Sequence, residues 1–238
     1  MTPEETTKRR AGESAAVAEY LGIQYDIWDN DDCTLVADLE GRFRLIRYIR
    51  EFAPDLIICH RTNDYHADHR AAAQLVQDAS YILTGPHTCP DTPAMRFMPV
   101  IVHYDDNFKN PPFTPTYVVG TDEEYDIKMH LMHLNASQVY EWLPYTWGQT
   151  VPEGEEERKA WLRGRSVTAG TPDEVVLSLP TEENWSVRFA KAAAKYRYKL
   201  IEKYGEEAGS KIRYAEAFEL SEYGARPTPE LEEALFNL

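Results

Sequence analysis

Apolar positions in the first third of the chain alternate between helical and strand periods. Ala11, Ala15, Val17, Ala18 and Leu21 recur at helical spacing and predict a first helix. Thr2-Pro3-Glu4-Glu5 supplies its start: a Thr cap, Pro at the first helical position and Glu three after the cap. Gly22 marks its end. Ile23, Tyr25 and Ile27 then alternate with polar residues, as a half-buried strand does, and acidic turn residues from Asp29 to Asp32 follow. Leu45, Ile46, Ile49 and Phe52 form a helical stripe that closes before Pro54. Leu56 to Cys59 reads as a short buried strand, and Asp68 to Ser80 as a helix turning Ala71, Ala72, Leu75, Val76 and Ala79 inward. The order α-β-α-β-α predicts a three-layer α/β/α fold around a mainly parallel, Rossmann-like sheet.

The remainder is less regular. Residues 84 to 99 are rich in Pro, Thr and Gly and read as a surface loop. Val100 to Tyr104 and Tyr117 to Val119 are strand candidates, and a helix is expected from Asp122 to about Tyr145. Gly148 to Glu157 reads as an exposed linker. A long helix from Glu182 to Tyr204 follows, with Trp185, Phe189, Ala192, Ala193 and Tyr196 on its apolar side. Ile212, Tyr214, Ala215 and Phe218 predict a late strand, and Thr228-Pro229-Glu230 caps a final helix. There is no internal repeat. The expectation is one α/β domain over 1–238 with an excursion near 148–205.

Composition narrows the classes. With 238 residues and 43% hydrophobic content the chain can bury a sizeable core. A net charge of −15 argues against nucleic acid and against an anionic membrane surface. No window has the apolar length of a spanning helix, and no signal sequence follows Met1, so a cytoplasmic location is expected. Cys33, Cys59 and Cys89 are odd in number and scattered, which fits a reducing compartment better than a disulfide framework.

The chemistry is concentrated between the Leu56 to Cys59 strand and the helix after it. His66, Asp68 and His69 stand within four residues where strand carboxyl ends and helix amino ends open on one edge. A hydrolytic metal site needs imidazoles or carboxylates, an open coordination position and a proton-transfer partner. Side chains so close in sequence rarely all reach one ion, so one or two are ligands and the rest handle protons or orientation. The bland alternative, polar residues capping a helix, suits any one of them alone. The cluster as a whole favours a site. Elsewhere, His130 and His133 have His-x-x-His spacing but are flanked by Met129, Leu131, Met132 and Leu134, and packed or surface histidines are expected. His60 is ambiguous, His87 and His103 are bland, and the aromatic residues of 140 to 147 suit either a sugar site or a core.

Asp64-Tyr65-His66-Ala67-Asp68-His69-Arg70-Ala71 resembles the Asp-Tyr-His-Pro-Asp-His-Arg-Ala motif of the PIG-L/LmbE superfamily of zinc-dependent N-deacetylases, departing at Ala67. Arg9-Arg10 with Glu13 and Leu21-Gly22 resembles the family's helix before its next strand. Lys128 with Ser137-Gln138 resembles its Lys…His-x-Ser-Gln helix, with Asn135 where His is usual, and Tyr214 to Phe218 resembles its late strand. The resemblance implies that His69 is a zinc ligand. It implies that His66 polarises the oxyanion or protonates the leaving amine, that Asp68 orients His66, and that Asp64 and Arg61 contact substrate. The implied substrate is a small acetamido sugar or conjugate of N-acetylglucosamine type, and homo-oligomerisation is left open.

The family's opening strand ends in His-Pro-Asp-Asp, which supplies two further ligands and the general base. No such sequence occurs here, so an incomplete Zn2+ site is expected: either the protein starts upstream or this is a shortened relative. Asp105, Asp106 or Asp29 to Asp32 offer substitute carboxylates, and nothing in the sequence selects among them. Two other classes compete. One is a non-catalytic binding or assembly protein on the same fold. The other is a metallo-β-lactamase-type hydrolase, whose His-x-His-x-Asp-His run is close to 64–69 but whose β-rich entry conflicts with the predicted helix-strand order.

Overall fold

Leu56 to Cys59 becomes the first strand of a four-stranded sheet in a computed structural model that describes residues 2–164, 167–180 and 185–237. The strands are β1 (Leu56–Cys59), β2 (Val100–Tyr104), β3 (Tyr117–Gly120) and β4 (Ala215–Leu220), in the order β1-β2-β4-β3. β1 and β2 are parallel, with Leu56 opposite Val100 and Cys59 opposite His103. β4 runs antiparallel to β2, pairing His103 with Glu219. The sheet is therefore mixed: the parallel pairing expected holds between β1 and β2, and the late strand enters from the other direction.

By internal contacts the chain divides into two compact units, Asn30–Val119 with Glu216–Leu238, and Met1–Asp29 with Gly120–Ala215. In the first unit, successive side chains of β1 go to opposite faces, as the pleat requires. Leu56 packs with Val100, Val102, Phe218 and Phe236, the last from α10 (Pro229–Phe236). Ile57 packs with Ile46 and Ile49 of α2 (Leu39–Phe52) and with Ala79 of α3 (Ala67–Ser80). Helices thus cover both faces, which gives this unit its three layers. Arg50 of α2 is buried, and among the described residues no carboxylate pairs with it. It donates instead to the carbonyls of Ile82, Leu83, Gly85, Thr88, Cys89 and Thr92 at 2.7–3.1 Å, which ties down the Pro- and Thr-rich loop after α3. β1 lies at the sheet edge, and Ile58 is 49% exposed there.

The second unit is helical. It holds α1 (Pro3–Leu21), α4 (Tyr125–Leu134), α5 (Leu143–Trp147), α6 (Glu155–Arg163), α7 (Asp173–Ser178), α8 (Trp185–Lys195) and α9 (Arg197–Gly209). The capping box at Thr2 forms as predicted, with Thr2 Oγ1 accepting from Glu5 N and Glu5 accepting from Thr2 N. The flanking motifs of the sequence meet here. Arg10 donates to Gln138 at 3.0 Å, and Glu13 accepts from Ser137 N and Oγ at 2.8 and 2.6 Å. Ser137 opens a π-helix (Ser137–Trp142), so the helix expected from 122 to 145 is broken. Asn135 interrupts it with a side-chain bond to Leu131 O at 2.8 Å. The helix expected from 182 to 204 is two helices parted at Tyr196, where ψ is 27°, and its first three residues lie outside the described ones. Ile23, Tyr25 and Ile27 form no strand: a pleated segment needs a ladder partner, and these side chains stay about half exposed.

Candidate active site

β1 and β2 are parallel, so the residues that follow both leave from the same edge of the sheet. His60 to His66 follow β1, and Tyr104 closes β2 just before Asp105 and Asp106. α3 starts one residue after His66, its N-cap. Fold topology therefore brings together side chains 44 and 45 residues apart that no local pattern connects.

Asp64 is the centre of the cluster. Its Oδ1 lies 3.0 Å from His69 Nδ1 and accepts the His66 backbone N–H at 2.8 Å. Its Oδ2 lies 3.6 Å from His60 Nδ1. A carboxylate on one imidazole nitrogen fixes the tautomer: His69 carries its proton at Nδ1 and leaves the Nε2 lone pair outward. The His60 and His69 rings stack at 3.8 Å and 11°. Tyr104 Oη reaches both nitrogens of His60, 2.6 Å from Nε2. Burial first, then the nearby His69, lowers the pKa of His60 from its ordinary value. Burial also raises Tyr104, reinforced by Asp64, and keeps it a hydroxyl donor.

His66 caps α3 with its ring: Nδ1 accepts the Asp68 N–H at 3.2 Å. That bond occupies the Nδ1 lone pair, so the neutral ring holds its proton at Nε2. The Nε2 edge faces Cys33 Sγ at 3.5 Å and Asp32 Oδ1 at 3.9 Å. Asp68 meets His66 through its backbone N–H, and its side chain turns to the neighbouring loop. Its carboxylate accepts the backbone N–H groups of Cys33 at 2.8 Å and Leu35 at 3.1 Å, clamping the Asp31 to Leu35 loop beside His66. The nearness of Asp68 and His66 runs through backbone and loop.

Arg61 is only 6% exposed. It makes a bidentate pair with Asp106 at 2.7 and 2.6 Å and donates to Pro111 O at 3.1 Å. Its guanidinium thus holds the loop from 106 to 111 against the base of the cluster. Behind the site, buried His103 donates from Nδ1 to His60 O at 2.8 Å, and burial lowers its pKa. Burial pushes the Cys59 thiol up to about 12.

Among the described residues two groups of metal-type donors result, His60/Asp64/His69 and Asp32/Cys33/His66, each with donor atoms within 4.8 Å of one another. The sequence pattern indicates His66, Asp68 and His69. It missed Cys33, treated only as part of a cysteine count, and Tyr104, whose signal is its place at a strand end neighbouring β1. It left His60 ambiguous. In the helical unit, His130 packs against Tyr20 with ring centroids 4.4 Å apart and tilted by 51°, and His133 Nδ1 meets Tyr140 Oη at 2.9 Å, the packed role expected of them. Burial also lowers the pKa of His133.

Residues 1–80, which include the whole central loop, match the family model described as PIG-L: GlcNAc-PI de-N-acetylase. No curated protein sequence matches significantly. The fold is similar to that of GalB, the 4-carboxy-2-hydroxymuconate hydratase of Pseudomonas putida, with TM-score 0.64, 19% identity, and 96% of this chain and 76% of that one covered. It is similar to N,N'-diacetylchitobiose deacetylase of Pyrococcus horikoshii, with TM-score 0.58, 17% identity, and 96% and 70% covered. It is also similar to protein TT1542 of Thermus thermophilus, with TM-score 0.55, 20% identity, and 93% and 76% covered. At these identities the likeness is one of fold, and that fold carries both a hydratase and a deacetylase.

Proposed function

We propose that the chain is a PIG-L/LmbE-type metal-dependent hydrolase removing an acetyl group from an N-acetylglucosamine-type sugar or conjugate, a reading supported by the family model's match over residues 1–80. The observation that carries the reading is the His60–Asp64–His69 cluster at the sheet's carboxyl edge, inside the segment the deacetylase family model matches. Two imidazoles and a carboxylate are the donor types of a catalytic zinc site with an open position; here Asp64 stands behind His69 on Nδ1, so the imidazoles of His60 and His69 would be the direct donors and Asp64 would orient them. Stacking leaves the in-plane lone pairs of His60 and His69 side by side, so a shared ion requires one ring to tilt. A divalent metal such as Zn2+ there would acidify a water and polarise a carbonyl.

The chain's own residues supply the rest. Asp64 fixes the His69 tautomer and ties the loop to it. His66, which caps α3 through Nδ1 and so turns Nε2 outward, is the group we assign to donate to the amide oxygen as charge develops there. Asp68 positions the loop that walls this edge. In this reading Arg61 is a positioning residue whose donors hold the loop carrying Asp106 and Pro111, and Asp64 orders the histidines of the cluster. The element order counts against the metallo-β-lactamase alternative, since helices precede β1 and alternate with the parallel strands. A non-catalytic binding role on the same fold is the outcome to be separated by experiment.

The test is acetate release from N-acetylglucosamine and its glycosides by wild type and His66→Ala. The expected result is release by wild type and a loss of about 10²–10⁴-fold in turnover with little change in KM for the variant. No release by wild type over this panel counts for the binding role, and unchanged turnover in His66→Ala removes His66 from the mechanism.

A further inference from the structure

We propose that Cys33, His66 and Asp32 form a second cation site, distinct from the His60/Asp64/His69 cluster, for a thiophilic divalent ion of the zinc or cadmium type. The three donors come from two separate loops and share no residue with the first cluster. Thiolate, imidazole and carboxylate together favour borderline-soft ions over magnesium or calcium. The separation of Cys33 Sγ from His66 Nε2 is 3.5 Å. Zinc bonds of about 2.3 Å to sulfur and 2.0 Å to nitrogen at a tetrahedral angle place those atoms about 3.5 Å apart. Asp32 Oδ1, at 3.9 Å from Nε2, is on an exposed side chain free to close the difference.

The thiol is placed there by the backbone. Cys33 sits at φ 66°, the left-handed region that non-glycine residues seldom occupy. The Asp68 carboxylate holds that conformation through the N–H groups of Cys33 and Leu35. Coordination releases the thiol proton to solvent and moves the ring proton of His66 from Nε2 to Nδ1. The Asp68 N–H then loses its acceptor, one neutral hydrogen bond against three metal–donor bonds. Because His66 Nε2 is the atom assigned to the amide oxygen, an ion here blocks it. The site is inhibitory, a consequence that rests on the function proposed above; the binding itself does not.

The experiment is Co2+ titration of the intact protein, read by the near-ultraviolet thiolate-to-cobalt charge-transfer band, with Cys33→Ser, His66→Asn and His69→Ala. Asparagine remains a good helix N-cap, so His66→Asn removes the imidazole and keeps the start of α3. The expected result is a saturable band in wild type and in His69→Ala, absent in Cys33→Ser and lost or weakened at least tenfold in affinity in His66→Asn. No band in wild type, a band that survives Cys33→Ser, or undiminished affinity in His66→Asn overturns the site. In parallel, Zn2+ in excess should slow acetate release by wild type and not by Cys33→Ser. Equal inhibition of both overturns the inhibitory role, whereas no acetate release at all overturns the proposed function and leaves the spectroscopic result standing.

Discussion

His66 is a single side chain with two jobs set by its two nitrogens. One nitrogen accepts from the helix start and the other faces the neighbouring loop. The residue types were legible in the sequence because His66, Asp68 and His69 are adjacent. The partner of Asp68 was not, since 33 residues separate it from Leu35 and only the fold closes that gap. The clamp makes a prediction. Of three free cysteines, Cys33 is exposed, Cys89 is buried, and Cys59 is held as a thiol by burial. Desolvation, with Asp32 and Asp68 nearby, raises the Cys33 thiol, so a maleimide at neutral pH should label Cys33 ahead of the other two in the native protein, more slowly than a free thiol, and all three after unfolding. Asp68→Ala should change the rate at Cys33 by releasing its loop, and an unchanged rate would remove the clamp. Arg61 gives a second prediction. Its ion pair with Asp106 is largely shielded, so Arg61→Ala should destabilise the protein by about 3 kcal/mol in denaturant unfolding, because Asp106 is left without its partner. Lysine should restore only part of this, since it lacks the bidentate fork. A variant of wild-type stability with raised KM would instead return Arg61 to the substrate.

At the scale of elements, α2 and α3 were legible because each buries a clear stripe, whereas α1 was legible from its capping box and Gly22. The predicted strand at Ile23 to Ile27 had the right alternation and lacks a ladder among the described residues. Alternation records which side chains face a core, and a partner strand decides whether a ladder forms. The break at Asn135 was hidden for a related reason: one amide bonding back to Leu131 reshapes a turn that helical periodicity runs through. The loop after α3 looked featureless in sequence, yet Arg50 satisfies four of its carbonyls and two more in the turn that leads into it. Arg50→Met keeps the apolar stem and removes every donor. It should cost at least about 3 kcal/mol, since several buried acceptors lose partners together at 1–3 kcal/mol each. A calorimetric midpoint equal to wild type would show that water replaces the guanidinium without penalty.

At the scale of the molecule, the α/β class was legible from the order of elements, while the direction of β4 was not. A late strand reads the same whichever way it enters a sheet, and only its pairing with β2 fixes the sense. Among the described residues no helix is long and apolar enough to cross a membrane. The fold is shared with a hydratase and a deacetylase, so architecture alone does not choose the reaction, and the donor set around Asp64 has to. The most direct measurement is acetate release from N-acetylglucosamine by chelator-treated protein as Zn2+ is restored, in wild type and in His69→Ala. The account predicts that release returns with about one equivalent of zinc in wild type, declines at higher zinc, and stays absent in His69→Ala. Release that persists without metal, or that is equal in His69→Ala, would contradict it.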